Sequence, residues 1–303
     1  MRLSSAIGPM AFRFPKERVF RIFQEAGFDA VDISFFNREE YTGGLEAYYP
    51  LGDDYIARAE ETAEQLRNVG LICNQTHAPY GFPHEDELCE ENRRFKELVR
   101  AIEATAILGA PHTVIHPIKP PSIDDVYECN IKMLRALIPY CEKFGVRIAL
   151  ETCHLRYKTD FGSRVYFDSA EKYYGLIEDA DSPFIVACID VGHTAGGISD
   201  YPEKFISNMK KGVLKGLHIQ DSDYMHDNHT TPFFQQLNWE NIMKALSDID
   251  YDGDLTLEDV NFSAHFPDEL AESAIEYTAR VGRYLIGIFE KCEAEKHSAD
   301  RVE

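Results

Sequence analysis

Signals that would direct the chain into a membrane, out of the cell or towards a dinucleotide are missing from the sequence. No apolar run approaches the roughly 18 residues that a membrane-spanning helix requires. Residues 1–14 contain no long apolar stretch, so we expect no secretory signal. The seven cysteines are odd in number and none stands as C-x-x-C, which predicts reduced thiols and a cytoplasmic protein.

Basic residues are scarce, with 31 Lys and Arg against 52 Asp and Glu and a net charge of −21. Such a chain repels phosphate backbones and anionic lipids, so we expect neither a nucleic-acid nor a membrane partner. Apolar residues make up 44% and charged residues 27%, a balance that is typical of soluble globular enzymes. No low-complexity linker interrupts the chain. We therefore predict one domain over residues 1–290, followed by a polar, frayed C-terminal tail over residues 291–303.

Short β-rich segments alternate with longer amphipathic segments along the whole chain. The expected strands are residues 2–7, 30–36, 71–77, 112–116, 146–152, 184–190, 214–220 and 254–260. The expected helices are residues 15–26, 54–69, 92–108, 127–144, 169–179, 202–211, 238–249 and 269–290. Strict alternation predicts parallel strands with right-handed crossovers, and the count of eight predicts a closed α/β fold, a (β/α)8 TIM barrel. An open doubly wound sheet is the alternative, but no G-x-G-x-x-G follows any strand.

Metal-binding types of side chain cluster at the carboxyl ends of the predicted strands. In a (β/α)8 barrel these ends converge on one mouth, where active sites lie. Alone, each such histidine is more often a hydrogen-bonded core residue, whereas a buried carboxylate needs a partner. Imidazoles and carboxylates without cysteine suit zinc, manganese or a similar divalent ion. The nine candidate metal ligands are His77, His116, Glu151, Asp190, His193, His218, Asp227, His229 and Glu258.

The spacing of two glutamates around the predicted ring suggests a reaction. Glu151 and Glu258 end strands that are three places apart in a ring of eight, so they face each other across the mouth. A cation between them, shared with Asp190 and His218, could polarise a hydroxy-ketone. One glutamate could then take a proton from carbon, giving an enediolate, and the other could return it. Three ions in the same cluster would instead activate water and clamp a phosphodiester.

The sequence resembles the xylose-isomerase-like TIM-barrel superfamily, which includes sugar isomerases, sugar epimerases and the endonuclease IV family. The segments that carry the resemblance are A-L-E-T at Glu151, I-D-V-G-H at 189–193, H-I-Q-D-S-D at 218–223 and Y-D-G-D-L-T-L-E at 251–258. In the epimerase branch, the residues that match Glu151, Asp190, His218 and Glu258 bind one divalent ion. The resemblance also implies that Glu151 and Glu258 are the catalytic acid/base pair and that His193 contacts the substrate.

The endonuclease IV branch offers a second interpretation. Its members use a larger ligand set for three zinc ions, and this chain matches all nine positions. A trinuclear-zinc phosphodiesterase therefore remains an alternative, although the net charge of −21 opposes a DNA substrate. A non-enzymatic metal- or sugar-binding protein is a third hypothesis, for which the loss of Glu151 or Glu258 would have been the sign. The fold family suggests a homodimer by analogy only.

Several residues in predicted mouth loops could bind a sugar or sugar phosphate. We expect Tyr80, Phe36, His193 and Arg156 to contact the substrate. Epimerases of this superfamily commonly carry an arginine after the position of His218, but residues 217–240 contain no lysine or arginine. Substitutes for that cation are Lys119, Arg156, Lys158 and Arg164, and candidate aromatic walls are Phe35, Phe36, Tyr80, Phe82, Tyr157, Phe233 and Phe234.

Overall fold

The protein is a barrel of parallel strands surrounded by helices. The computed structural model describes residues 1–35, 52–80, 88–159, 162–195 and 201–299. The strands of this part are β1 (Leu3–Ser5), β2 (Ala30–Ser34), β3 (Ile72–His77), β4 (His112–Ile115), β5 (Arg147–Glu151), β6 (Arg156–Thr159), β7 (Gly162–Val165), β8 (Ile185–Asp190), β9 (Leu214–His218) and β10 (Leu255–Leu257).

Parallel pairing closes eight of these strands into a ring. Strands β2, β3, β4, β5, β8 and β9 form one sheet in that order, and β1 pairs with β10. Isolated parallel bridges, Ala6 with Asp32 and Ile219 with Leu257, join the pair to the two edges of the sheet. The predicted (β/α)8 barrel is confirmed. Strands β6 and β7 form a separate antiparallel hairpin in the loop after β5.

Amphipathic helices bury their apolar faces in the core. In the described residues they are α1 (Gly8–Arg13), α2 (Lys16–Ala26), α3 (Tyr55–Val69), α4 (Arg93–Leu108), α5 (Val126–Phe144), α6 (Ala170–Asp179), α7 (Val191–Ala195), α8 (Pro202–Ser207), α9 (Trp239–Asp248), α10 (Val260–Ala264) and α11 (Asp268–Ala299). Helix α2 buries Val19, Phe20 and Phe23 and ends at Gly27, whose φ of 95° is a left-handed conformation that glycine adopts without steric cost.

The structure departs from the predicted elements in the loops. The short helices α1, α7 and α10 and the β6–β7 hairpin were not predicted, because segments of four to six residues are too short to show a helical or strand period. The eighth strand stops at Leu257, and Val260 begins α10 instead of ending the strand. These additions follow β1, β5, β8 and β10 at the carboxyl ends of the barrel strands, so they shape the mouth.

The C-terminal segment also differs from the prediction. Residues 291–299, expected to be a frayed tail, continue helix α11 to Ala299. Two contacts to the end of α9 hold this extension: Ser247 donates a hydrogen bond to Glu293, and Lys296 donates to the carbonyl of Ser247 at 2.8 Å. All seven cysteines lie in described segments, and no disulfide bond joins any two of them there. Within the same segments, no helix combines the length and apolar character needed to cross a membrane.

Candidate metal centre and active site

The carboxyl ends of six strands bring the predicted ligands to one place. His77 ends β3, Glu151 ends β5, Asp190 ends β8 and His218 ends β9, while His116 and Glu258 directly follow β4 and β10. His193 lies on α7, one turn after Asp190, and Asp227 and His229 lie in the loop after β9. The predicted convergence of the nine side chains is therefore observed, and they fall into three neighbouring groups.

The central group consists of Glu151, Asp190, His218 and Glu258. One potential ligand atom from each of these buried residues lies within 4.8 Å of the others. The Nδ1 atom of His218 is 3.0 Å from Glu151 Oε1 and 3.2 Å from Glu258 Oε2, so the two glutamates converge on one ring nitrogen. Three carboxylates and one histidine form an N/O donor set of the kind that divalent cations accept.

A second group, on the β3–β5 side of the mouth, shares Glu151 with the first. His116 Nε2 lies 2.8 Å from Glu151 Oε2, and His77 Nε2 lies 3.2 Å from the same oxygen. The two Nε2 atoms are themselves only 3.2 Å apart. The three side chains again satisfy the spacing of a metal site.

A third group lies on the β8–β9 side and is held by the loop after β9. Asp227 stands between two imidazoles, with its Oδ2 atom 3.2 Å from His193 Nε2 and its Oδ1 atom 3.1 Å from His229 Nε2. Asp190 belongs to this group as well as to the central one, since its carboxylate has metal-site spacing with His193 and His229.

Backbone carbonyls fix the tautomers of three of these histidines. The Nδ1 atoms of His77, His193 and His229 lie 2.9, 2.7 and 3.0 Å from the carbonyl oxygens of Ala78, Thr152 and Glu258, respectively. A carbonyl can only accept a hydrogen bond, so each Nδ1 carries a proton and donates. In a neutral ring the Nε2 atom is then a bare acceptor.

With these tautomers, the unprotonated Nε2 atom of each ring points at another hydrogen-bond acceptor. In their neutral forms, the rings of His77, His193 and His229 each direct the Nε2 lone pair at a carboxylate oxygen. Such pairs attract only if the ring gains a second proton or a cation lies between the two atoms. Glu258 Oε2 adds to this demand, because it is buried without a hydrogen-bond partner. The residues present therefore fit a divalent cation.

The pKa values of the two glutamates are shifted in opposite directions. Burial would raise the pKa of Glu151, but His116 and His218 outweigh it and hold that pKa well below its usual range. Burial raises the pKa of Glu258 to about 7, against the opposing influence of His218 and His229. Two carboxyl groups whose environments separate their pKa values are the usual basis of an acid/base pair.

Two polar residues within the barrel support His218 and were not predicted. Asp32, in the middle of β2, places its Oδ2 atom 3.2 Å from His218 Nε2. Gln75, on β3, donates to the same Asp32 oxygen at 2.8 Å and has its amide nitrogen 2.9 Å from His218 Nε2. The available signal was a carboxylate inside the otherwise apolar strand A-V-D-I-S, which needs a buried partner.

Gln220 joins the central and third groups, and it too was missed. Its amide nitrogen donates to Asp190 Oδ2 at 3.1 Å and to Asp227 Oδ1 at 2.8 Å, while its oxygen accepts from the backbone N–H of His229 at 2.6 Å. The close packing requires Gly192, because a Cβ atom there would lie 2.5 Å from Gln220 Cδ. The G of D-V-G-H and the Q of H-I-Q-D are the sequence signals for this contact.

The sequence profile of one family, described as a xylose isomerase-like TIM barrel, matches residues 20–281. The chain belongs to this family. The resemblance inferred from the strand-end segments is therefore confirmed. Fructoselysine 3-epimerase of Shigella flexneri is 24% identical over 277 residues, which cover 87% of this chain and 92% of that protein.

Solved structures agree with this family membership. A D-tagatose 3-epimerase-like protein superposes with a TM-score of 0.71 at 18% identity, over 96% of this chain and 99% of the other. The IOLI protein with a binding zinc atom has a TM-score of 0.69 at 14% identity, over 96% and 99% of the two chains. At such identities the likeness shows the common barrel fold.

The substrate-contact residues predicted for this barrel are only partly brought to the mouth. Tyr80 lies there, with its ring centroid 4.6 Å from that of His116. Arg156 is exposed on the β6–β7 hairpin and is not among the described residues that line the cavity beside Glu258. Phe36 and Phe82 lie outside the described residues.

The remaining cation and aromatic candidates lie at the rim or away from the ligands. Lys119 stacks over the ring of Tyr157, 5.6 Å from its centroid, and Lys158 and Arg164 lie on the exposed hairpin. Phe35 is fully buried, whereas Phe233 and Phe234 are about half exposed. An unpredicted histidine, His154, lies closer to the site, with its ring 5.1 Å from that of His193.

Proposed function

We propose that this protein is a divalent-metal-dependent sugar isomerase or epimerase that transfers a proton through an enediolate. The observation that carries the proposal is the central group at the mouth of the barrel. There, Asp190 and His218 meet two glutamates whose pKa values are shifted in opposite directions. The similarity to fructoselysine 3-epimerase supports the substrate class. A location in the cytoplasm and assembly as a homodimer remain predictions from the sequence.

The central group, Glu151, Asp190, His218 and Glu258, would hold the cation. When bound, zinc or manganese would supply Lewis-acid polarisation of the sugar carbonyl. The protein's own contribution is to orient the ligands: Thr152 holds the His193 ring, and Asp32 holds His218. Buried walls keep water away from the carboxylates, which strengthens their interaction with the substrate.

Glu258 is the glutamate that meets the substrate first. It borders the mouth cavity, and its Oε2 atom forms no hydrogen bond although it lies 3.2 Å from His218 Nδ1. Both oxygens of Glu151, by contrast, are within hydrogen-bonding reach of histidines. Glu258 takes the proton from the carbon beside the carbonyl, and the C–H electron pair becomes the double bond of the enediolate. The carbonyl π pair passes to its oxygen in the same step. Glu151 then passes a proton taken up from solvent to the opposite face for an epimer, or to the neighbouring carbon for an isomer, where the double-bond pair becomes the new C–H bond and a carbonyl re-forms. Glu258 releases its proton to solvent. His193 holds a substrate hydroxyl.

Proton–deuterium exchange tests this function. Metal-loaded protein is incubated in deuterated water with a panel of ketoses and ketose phosphates, and deuterium at the carbon beside the carbonyl is followed by NMR. We expect one deuterium in the recovered substrate and in its epimer or isomer. The proposal fails if no sugar of the panel exchanges above the rate of the Glu258→Gln variant. The Glu97→Gln variant is the matched control, because Glu97 is buried on α4, pairs with Arg93 and Arg94, and is not among the described residues that line the cavity beside Glu258.

A second candidate function is hydrolysis of a phosphoester by a trinuclear zinc site. The observation in its favour is the sharing of Glu151 and Asp190 between adjacent groups, so that eight of the nine residues fall into overlapping groups with metal-site spacing. Elemental analysis of protein purified without chelator separates the two functions. Near one ion per chain, lost with Glu151→Gln, supports the epimerase. Near three ions, zinc prominent, supports a hydrolase, for which small phosphoesters are tested before DNA because of the charge of −21.

A further inference from the structure

A cavity of about 480 Å³ extends from the ligand groups to one side of the mouth. Glu258, Asp227 and His229 border it at the end near the ligands. Its volume lies within the usual range for sites that enclose drug-sized molecules, roughly 300–1,000 Å³. The cavity is thus continuous with the proposed reaction centre and is large enough for more than the reacting carbons.

One wall of the cavity is apolar. It is formed by α1 and α10, which follow the neighbouring strands β1 and β10 and therefore lie side by side at the mouth. Pro9 and Phe12 line it from α1, and Val260 and Ala264 line it from α10. These four side chains, which we call the apolar wall, offer no hydrogen bond to a sugar hydroxyl. Their contribution to binding is the burial of apolar surface.

Charge at this cavity disfavours a phosphate. Arg13 is the one lysine or arginine among the described residues that line it. Its guanidinium already has partners: it donates hydrogen bonds to the carbonyls of Ser263 at 3.2 Å and Phe266 at 2.8 Å, and it forms an ion pair with Asp268. Glu258 and Asp227 of the same lining would repel an anion. Binding a phosphate here would therefore require breaking the contacts that hold the segment after α10.

We propose that the substrate is an uncharged keto-sugar with an apolar substituent, such as an alkyl or aryl group, that packs on the apolar wall. This inference rests on the proposed proton-transfer function and names its substrate class. The carbonyl must stay open for proton abstraction beside it, so the substituent is linked to another carbon, as in a glycoside oxidised on its ring. The sugar then lies at Glu258 and His229, and the substituent lies between α1 and α10.

Matched sugars test the inference. Deuterium exchange catalysed by the metal-loaded protein is measured for one keto-sugar in three forms: unsubstituted, phosphorylated and carrying a phenyl group through a glycosidic oxygen. Burial of an aromatic ring predicts a kcat/KM about 10- to 100-fold higher for the phenyl form than for the unsubstituted form. We expect the phosphorylated form to be the poorest. An equal or higher kcat/KM for the unsubstituted or phosphorylated sugar would overturn the inference and leave the proposed function intact.

Variants of the apolar wall locate the effect. Ala264→Asp places a charge at an exposed wall position and should reduce kcat/KM for the phenyl form about tenfold, with a change of less than twofold for the unsubstituted sugar. Phe12→Ala should act in the same direction. Tyr284→Ala is the control, because this exposed ring on α11 packs on Phe233 and is not among the described residues lining the cavity. Equal losses on both sugars would contradict a role in recognising the substituent.

Binding without turnover distinguishes failure of the inference from failure of the proposed function. Calorimetry compares an unreactive phenyl glucoside with glucose on the wild-type protein and on Ala264→Asp. Tighter binding of the phenyl glucoside that is lost in the variant would support the apolar subsite, whether or not any sugar exchanged deuterium. An absence of exchange would then count against the proton-transfer function alone. Equal binding of both sugars to the wild-type protein would overturn the inference.

Discussion

The two ends of the barrel neutralise their carboxylates in different ways. At the amino end, Asp254 forms two hydrogen bonds of 2.9 Å with the guanidinium of Arg2, and Asp252 accepts two from Lys215 at 2.8 and 2.9 Å. At the carboxyl end, the described ion-pair partners of Glu151, Asp190 and Glu258 are all histidines. These amino-end carboxylates thus pair with lysine or arginine, and the carboxyl-end carboxylates pair with histidine.

This difference separates stability from function. A lysine or arginine stays charged at neutral pH and satisfies its carboxylate permanently. A neutral imidazole has one lone pair, so a carboxylate paired with it keeps the capacity to bind a cation or move a proton. The amino end of a (β/α)8 barrel generally serves stability and the carboxyl end carries the active site. The predictions below test whether the two ends are separable in this protein.

The largest difference is expected from the same acid-to-amide change at the two ends. Glu258→Gln removes the group that takes the proton, so deuterium exchange should slow by about 10²- to 10⁴-fold, the usual contribution of a positioned acid or base. Asp254→Asn at the amino end should change the exchange rate less than twofold. Exchange is followed by NMR on metal-loaded protein. Similar losses in both variants would mean that the ends are not separable.

One histidine at each end has a shifted pKa, and the two shifts have opposite directions. Burial, assisted by Arg147, lowers the pKa of His112 at the amino end to about 4, whereas Asp227 and Glu258 overcome burial and raise the pKa of His229 at the carboxyl end to about 10. Between pH 6.5 and pH 4 the unfolded chain binds the His112 proton more tightly than the folded chain does. The stability that His112 contributes as a neutral ring is therefore lost as the pH falls through this window.

Urea unfolding measures this loss. From pH 7 to pH 5 the free energy of unfolding of the metal-free wild type should fall by about 2 kcal/mol more than that of His112→Gln, which keeps a donor for the side-chain oxygen of Gln75. Comparison with His112→Gln isolates the effect of His112, because every other titrating group is common to both proteins. Parallel pH profiles would show that His112 is not a neutral, buried histidine of the folded state.

Sequence reasoning predicted that the candidate ligands converge, because the topology of the barrel alone brings them together. Apolar strands and glycine-ended helices predicted the ring, and the ring alone brings His77, Glu151 and Glu258 together from distant parts of the chain. Residues inside the barrel were not found. Asp32 and Gln75 look like ordinary polar positions of a strand, because a single sequence does not show which partner a buried polar group meets. The apolar wall was also missed, since α1 and α10 are too short to leave a period.

A smaller effect is expected from the carboxylate that supports the metal centre from inside the barrel. Asp32→Asn weakens the acceptor that faces His218 Nε2, so the ring is less firmly held with Nδ1 towards Glu151 and Glu258. Loss of such a partner typically lowers metal affinity by about 10- to 100-fold. Zinc affinity is measured by competition with a chelator, and the spectrum of the cobalt-loaded protein reports the ligand geometry. Asp29→Asn, a change at a half-buried carboxylate that pairs with Arg283, is the control and should leave both unchanged.

The smallest effect is expected at the amino end. Arg2→Ala removes the paired contact to Asp254, which links the starts of β1 and β10, but the arginine side chain is 55% exposed. Exposed ion pairs contribute about 0.2–1 kcal/mol, so the free energy of unfolding should fall by no more than about 1 kcal/mol in urea titrations. Zinc affinity should not change, because Arg2 contacts none of the nine ligands. A weaker zinc site in Arg2→Ala would mean that the register of β1 and β10 is transmitted to Glu258, and the amino end would then belong to the metal centre as well.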